Sequence, residues 1–294
     1  MRVFVTGASG HIGTAVVTEL VQAGHDVTGL ARSDSSAAHV KALGAEVSRG
    51  DLRDLDGLRA AAAAADAVVH LAFDHVAMMA GDFSGAVATD LSAVAALGNG
   101  LAGTGGTLIG VGVRPDGDAR RDAAMAANPR SAVSRAIDGL GERGVRTILV
   151  AIPPVTHSSL DRGGFVPQLI RIARETGVSG YVGDGGNRWP AAHTLDVAAL
   201  YRLALDKAPA GAGLYAATEE GIALREIAEN IGRHLGVPAV SIPAADAAGH
   251  FTGFPFVTLD FTMPNTDTRQ LLGWEPAHPG LIADLDEGHY FTTG

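Results

Sequence analysis

The stretch Arg2-Val3-Phe4-Val5-Thr6-Gly7-Ala8-Ser9-Gly10-His11-Ile12-Gly13 decides the fold. Its opening residues, β-branched and aromatic and closed off by glycine, read as a short buried strand. Ile12, Val16 and Leu20 then recur at i, i+4 and i+8, the period of a helix, and Gly24 is placed to end it. Glycines 7, 10 and 13 between strand and helix give the spacing of a dinucleotide loop in the context such a loop requires. Gly7 permits the tight turn, Gly10 lets backbone approach a pyrophosphate, and Gly13 allows close helix-to-sheet packing. His11 and Ile12 open a helix whose N-terminus offers N–H groups and positive potential. A glycine-rich turn with no ligand is the bland alternative.

Outward from this loop, short apolar runs alternate with helical periodicity, the pattern of repeated βα units. Strands are predicted at about 2–6, 26–31, 45–49, 67–72, 106–112 and 146–152, with later helices near 55–64, 86–102 and 129–142. The alanine run 60–65 falls inside one of these helices and reads as packed helix. After Pro153-Pro154 the rhythm loosens into a glycine-rich stretch, 177–186, helices near 194–206 and 222–235, and a Pro/Gly/Phe-rich segment, 238–264. The expected fold is α/β: a Rossmann-type doubly wound parallel sheet with a smaller, irregular C-terminal substrate-binding region. Residues 1–155 would form the dinucleotide-binding domain, with elements around 190–218 returning to it, and 156–294 mainly a cap.

Composition narrows the function. A net charge of −10 over 294 residues leaves no basic footprint for nucleic acid or an anionic membrane. Zero cysteines exclude disulfides, thiolate metal sites and a cysteine nucleophile. No window reaches the ~18 apolar residues of a membrane span, so a cytoplasmic location is expected. The 11 histidines are scattered, with no helical i, i+4 pair beside a carboxylate, and no metal is expected.

The end of the second strand chooses between cofactors, since an acid there would bond a ribose 2′-hydroxyl and an arginine a 2′-phosphate. It reads Leu30-Ala31-Arg32-Ser33-Asp34. Arg32 with Ser33 favours NADP(H); Asp34 keeps NAD(H) open.

Together with Gly50-Asp51-Leu52, His70-Leu71-Ala72, Pro153-Pro154 and Leu272-Gly273-Trp274-Glu275-Pro276, the loop resembles the extended short-chain dehydrogenase/reductase family, specifically its NAD(P)-dependent epimerase/dehydratase-like reductases. The resemblance spans nearly the whole chain. It implies that Asp51 and Leu52 lie against adenine, that Leu71, Ala72 and Phe73 wall the cofactor, and that Pro153 and Val155 border the nicotinamide. It also makes a homodimer a natural assembly.

The family pattern fails where catalysis is usually carried. Relatives use a Ser/Thr after the fifth strand and a Tyr-x-x-x-Lys pair on the next helix, a phenol tuned by a neighbouring cation. Here that helix carries Ser131 and Arg135 in the tyrosine and lysine positions, and the fifth strand runs into Gly110-Val111-Gly112-Val113. Arg135 would still bond ribose, but neither it nor a serine hydroxyl readily exchanges a proton. His157, beyond the sixth strand, is the substitute acid or base and a substrate contact, a packed loop histidine being its alternative. Asp74, His75, Arg188 and Trp189 are the other substrate candidates, in a pocket rimmed by Met78, Phe165, Trp189 and residues 251–256 that suits an apolar or aromatic small molecule. Asp196 reads as a helix-start residue.

Three functions stay open at this point. The first is an NADP(H)-dependent oxidoreductase reducing a small or medium apolar carbonyl, imine or activated alkene with an unusual proton donor. The second is a non-redox isomerase, dehydratase or cyclase on the same scaffold, and the third an NADP(H)-sensing binding protein.

Overall fold

The buried apolar runs of the first half become adjacent strands in a computed structural model that describes residues 1–114, 126 and 128–292. In chain order the elements are β1 (Arg2–Thr6), α1 (His11–Gln22), β2 (Asp26–Ala31), α2 (Asp34–Ala42), β3 (Glu46–Arg49), α3 (Leu55–Ala63), β4 (Ala67–His70), α4 (His75–Met79), α5 (Phe83–Leu101), β5 (Thr107–Val111), α6 (Ser131–Gly139) and β6 (Arg146–Ala151). The second half adds β7 (Val155–His157), α7 (Phe165–Thr176), β8 (Ser179–Val182), β9 (Arg188–His193), α8 (Thr194–Lys207), β10 (Ala212–Tyr215), β11 (Glu219–Ala223), α9 (Leu224–Leu235), β12 (Ala239–Ile242), α10 (Ala247–His250), α11 (Thr266–Leu272) and α12 (Leu281–Asp286). The described chain divides into two compact units, one made of Met1–Ala151, Ala198–Leu214 and Gln270–Trp274, the other of Ile152–Val197, Tyr215–Arg269 and Glu275–Gly294.

The first unit is built on a seven-stranded sheet of order β10-β6-β5-β4-β1-β2-β3. Its pairs from β3 through to β6 run parallel, with Val3 opposite Val27 on one side and Ala67 on the other. Every residue of β4 is buried, as a strand covered on both faces must be. The chain reverses its direction of winding at β1, between β2 and β4, so ligands are expected beyond the carboxyl ends of these strands. The alanine run packs as predicted: Ala62 is buried on α3, and a Cβ added to Gly100 of α5 would overlap the Arg59 carbonyl and stand 2.7 Å from the Ala62 methyl. Arg146 docks the later helix by donating to the carbonyls of Ala204 and Leu205 at 2.9 and 2.6 Å.

The second unit holds a three-stranded sheet, β11-β9-β7, and a two-stranded parallel one, β12-β8. The glycine-rich and Pro/Phe-rich stretches that looked irregular in sequence contain these last two strands, four residues each, with Ala239 opposite Ser179. Strands this short, flanked by glycine and proline, carry too few alternations to announce themselves. Trp189, Phe251, Phe254, Leu224 and Ile227 lie in the unit's core. Among the described residues no helix is long and apolar enough to cross a membrane.

Candidate active site

The glycine loop leaves β1 as its spacing predicts. Gly7 takes φ +69°, a left-handed conformation that favours glycine, and a Cβ there would come within 2.8 Å of the Ala72 nitrogen. The Gly10 N–H donates to the Gly7 carbonyl at 2.9 Å, closing the turn. Gly10 then caps α1 without a side chain, and no acid occupies the helix's first turn. The positive end of a twelve-residue helix is thus left to an incoming anion, with Ser9 and Gly10 exposed and His11 and Ile12 half-buried. Gly13 sits so close beneath the loop that a Cβ would overlap the Gly7 carbonyl oxygen.

A polar chain that sequence reading missed braces this loop from behind. Thr6 Oγ1 accepts from the Ala72 N–H at 3.2 Å and shares a proton with His70 Nδ1 at 2.7 Å. The other His70 nitrogen meets Asp90 Oδ1 at 2.8 Å, and Asp90 Oδ2 faces Arg130 at 3.6 Å. His70 and Asp90 are both buried, and the Arg130 guanidinium lies 4.2 Å over the Phe73 ring. The one sequence signal was an aspartate within the apolar, small-residue run of α5.

Around the end of β2 the charges sort themselves. Ser33 caps α2, accepting from the Ser36 N–H at 3.2 Å within a capping box. Arg49, from the end of β3, donates to the Ser33 carbonyl at 2.6 Å and to Asp34 Oδ1 at 2.5 Å. Arg32 is exposed and has no carboxylate partner among the described residues. It lines a cavity of about 350 Å³ together with Arg53, Asp74, Val76, Ala77 and Ala80. Asp51 turns back on its own loop, accepting from the Arg53 N–H at 2.7 Å, while Leu52 packs against the core. Leu71, Ala72 and Phe73 are half-buried next to the loop, and Phe73 meets His75 edge-on at 5.3 Å. Asp74 caps α4 through the Ala77 N–H, so this residue and His75 belong to the same side of the first unit as Arg32.

Ser131 and Arg135 do lie one helical turn apart on α6, and Arg135 donates to Ser131 Oγ at 3.0 Å. Arg135 is exposed. The pair presents a fixed cation and an oriented hydroxyl. Such a pair stabilises a developing oxyanion but does not exchange protons near neutral pH.

The candidates of the second unit are placed differently. His157 is on β7 rather than at the end of the sixth strand, and its side chain is fully buried. Its Nδ1 meets Asp284 Oδ2 at 2.9 Å, a partner 127 residues away that sequence could not supply. Its Nε2 is buried as well, so no atom of His157 reaches a ligand in this arrangement. Pro153 and Val155 are buried in the same unit. Trp189, expected as a substrate wall, is fully buried and donates to the Leu259 carbonyl at 3.1 Å. Arg188 is exposed and pairs with Asp260 at 3.5 Å. Phe165, Phe254 and Phe256 converge on one another with ring spacings of 5.0 to 5.7 Å, and Phe165 meets Trp189 at 5.4 Å.

Asp284 gathers further groups. His289 Nε2 and His193 Nε2 stand 3.7 and 3.9 Å from its two oxygens. Burial first, and the neighbouring His157 second, push His193 down to about 4, against the pull of Asp284. His193 stacks on His278 at 4.7 Å, and His278 meets Asp196 at 2.8 Å. Asp196 therefore does more than start α8: it also accepts from the Ala277 and His278 N–H groups at 2.9 and 3.2 Å. Asp284, Glu287 and His289 each bring one donor atom within 4.8 Å of the others, the one grouping with metal-ligand chemistry among the described residues. With Asp284 already accepting from His157, it reads as part of a buried polar network.

Comparison with known proteins places this geometry. The chain is 39% identical to an uncharacterized protein of Schizosaccharomyces pombe over 99% of this chain and 100% of that one. It is 40% identical to an uncharacterized protein of Saccharomyces cerevisiae, over 97% and 98% of the two chains. Among solved structures, Thermus thermophilus UDP-glucose 4-epimerase in complex with NAD shares the fold with a TM-score of 0.75, at 20% identity over 99% of each chain. Residues 3–89 match the NAD dependent epimerase/dehydratase family. That stretch runs from β1 into α5 and contains the glycine loop, the Arg32 turn and the Asp51 turn. By this kinship the chain belongs to the NAD-dependent epimerase/dehydratase family.

Proposed function

We propose that this protein is an NADP(H)-dependent oxidoreductase that reduces a small or medium apolar carbonyl, imine or activated alkene. The observation carrying the cofactor choice is Arg32, exposed and lining the cavity at the end of β2, where Asp34 does not. A carboxylate that bonds a ribose 2′-hydroxyl must be available to accept from it, and the exposed Asp34 has its charge screened, though not held, by Arg49. Arg32 is available to a 2′-phosphate, with Ser33 next to it.

The residues fit the group. Gly7, Gly10, His11, Ile12 and Gly13 would hold the pyrophosphate through backbone N–H groups, in a cradle that side chains at 7 or 13 would fill. Asp51, Leu52, Leu71, Ala72 and Phe73 would flank the rest of the dinucleotide. The bound nicotinamide cofactor supplies a hydride. The chain supplies orientation and charge: Arg135 holds the Ser131 hydroxyl and offers a cation to ribose or to an oxyanion developing on the substrate. The proton for a reduced oxygen or carbon must come from water or from a group outside this pair, since no phenol stands there.

One observation favours a second reading. Because Ser131 and Arg135 are bonded to each other, the helix keeps a charge-stabilising pair with no evident acid beside it among the described residues, which also suits an isomerase, dehydratase or cyclase that retains the cofactor. Titration with NADPH and NADH, followed by NADPH oxidation across a carbonyl, imine and enone panel, tests the proposal. Tighter NADPH binding with substrate-dependent oxidation is expected. Product formed without net cofactor consumption overturns it in favour of the second reading, and tight binding with no turnover in favour of a sensor.

A further inference from the structure

The cavity beside Arg32 contains a second guanidinium that neither the glycine loop nor the end of β2 supplies. Arg53, in the turn after β3, lines it and donates to Asp74 Oδ2 at 3.0 Å. Asp74 is mostly covered and has a separate task, accepting from the Ala77 N–H through its other oxygen at 3.0 Å and so capping α4. The Arg53 side chain is 71% exposed. An ion pair with so much solvent on one partner is weak, and such a guanidinium exchanges readily to a better acceptor. The remaining lining, Val76, Ala77 and Ala80, is apolar. Two cations and an apolar wall at the ends of β2, β3 and β4 match a phosphorylated adenosine.

We infer that Arg53 is the second cation for the 2′-phosphate, held by Asp74 when the cavity is empty and transferred to the phosphate when adenosine 2′-phosphate enters. The inference rests on the NADP(H) reading and adds a residue and an exchange to it. A phosphate offers Arg32 and Arg53 several oxygens, and each guanidinium can make paired hydrogen bonds there that the single Asp74 oxygen facing Arg53 returns less well. Asp74 then acts as a competitor: it raises the discrimination demanded of the ligand, because a ribose 2′-hydroxyl cannot draw Arg53 away.

The experiment is calorimetric titration of the full chain with adenosine 2′,5′-bisphosphate and with AMP, which isolates the phosphate from the nicotinamide end. Arg53→Gln is expected to weaken the bisphosphate about tenfold or more and to leave AMP within about twofold. Asp74→Asn keeps a capping oxygen but loses the competing charge, and is expected to tighten the bisphosphate severalfold with unchanged thermal stability. If Arg32→Gln loses the preference while Arg53→Gln and Asp74→Asn both bind as wild type, the inference falls and the NADP(H) reading stands. If the wild type binds both nucleotides equally, both fall together.

Discussion

Replacing Gly13 by alanine tests the whole account of the glycine loop with one methyl group. The added Cβ would overlap the Gly7 carbonyl oxygen, stand 2.8 Å from the Gly7 carbonyl carbon and 3.0 Å from Ala8 Cα, all backbone. Gly7 cannot retreat, because its own α-carbon faces the Ala72 nitrogen, with 2.8 Å available to a Cβ. Ala8 is fully buried. Either α1 moves outward or the turn closed by the Gly10 N–H opens. Overpacking of this kind costs about 1–3 kcal/mol. In a chain of this size that lowers Tm by roughly 2–4 °C per kcal/mol. The larger effect falls on NADPH, since the displaced groups are those expected at the pyrophosphate: binding should weaken by about a hundredfold, on the order of 3 kcal/mol. Gly24→Ala is the control. Its φ of +82° strains an alanine, yet nothing lies within 4 Å of the new methyl. That variant should lose about 1 kcal/mol of stability and no affinity. Differential scanning calorimetry and fluorescence titration read the two quantities separately. Should Gly13→Ala bind NADPH like the wild type, the loop is not the pyrophosphate site.

Two further outcomes are expected. His193, pushed to about 4 by burial and then by His157, folds in its neutral form, so the unfolded chain binds more protons between the ordinary value near 6.5 and about 4. Stability from this group is complete above pH 6.5 and falls as acid is added through that window. Burial raises the Asp161 carboxyl and acts in the opposite sense, so the measurement is the difference between denaturation curves of the wild type and His193→Asn across pH 4 to 7, and identical slopes would refute it. Restoring a phenol and an amine with Ser131→Tyr and Arg135→Lys should raise carbonyl reduction at least tenfold if hydride transfer waits on a proton. An unchanged rate would remove proton supply as the limit.

Much of the fold could be read from the sequence because its signals are local. The first six strands and the helices α1, α3, α5 and α6 rest on apolar periods and glycine breaks that lie within a dozen residues, and their bounds in the structure match to within a few positions, whereas the short α2 and α4 were not expected. The alanine run was legible for the same reason, as a helix whose small residues let α3 approach Gly100 of α5. The strands β8 and β12 were not legible, since each is four residues long and forms its sheet only with the other, far away in sequence. Local pattern fixes an element when its buried face repeats. It does not when the partner strand alone defines that face.

The polar groups divide along the same line. Glycines that must approach backbone closely are dictated by the turn itself, so Gly7, Gly10 and Gly13 were found at once. The charges that decide cofactor and chemistry are partnered across distance: Arg49 with Asp34, Arg53 with Asp74, His70 with Asp90, His157 with Asp284. A residue type near a strand end says which ligand group it could meet, and its partner says whether it is available. Arg49 screens the charge of the exposed Asp34, and Asp284 with full burial encloses His157. The proposed phosphate contacts, Arg32 and Arg53, and the proposed charge pair, Ser131 and Arg135, all belong to the first unit. On the proposed reading, with no tuned acid beside Ser131 and Arg135 among the described residues, electrostatic stabilisation carries the rate and solvent the proton.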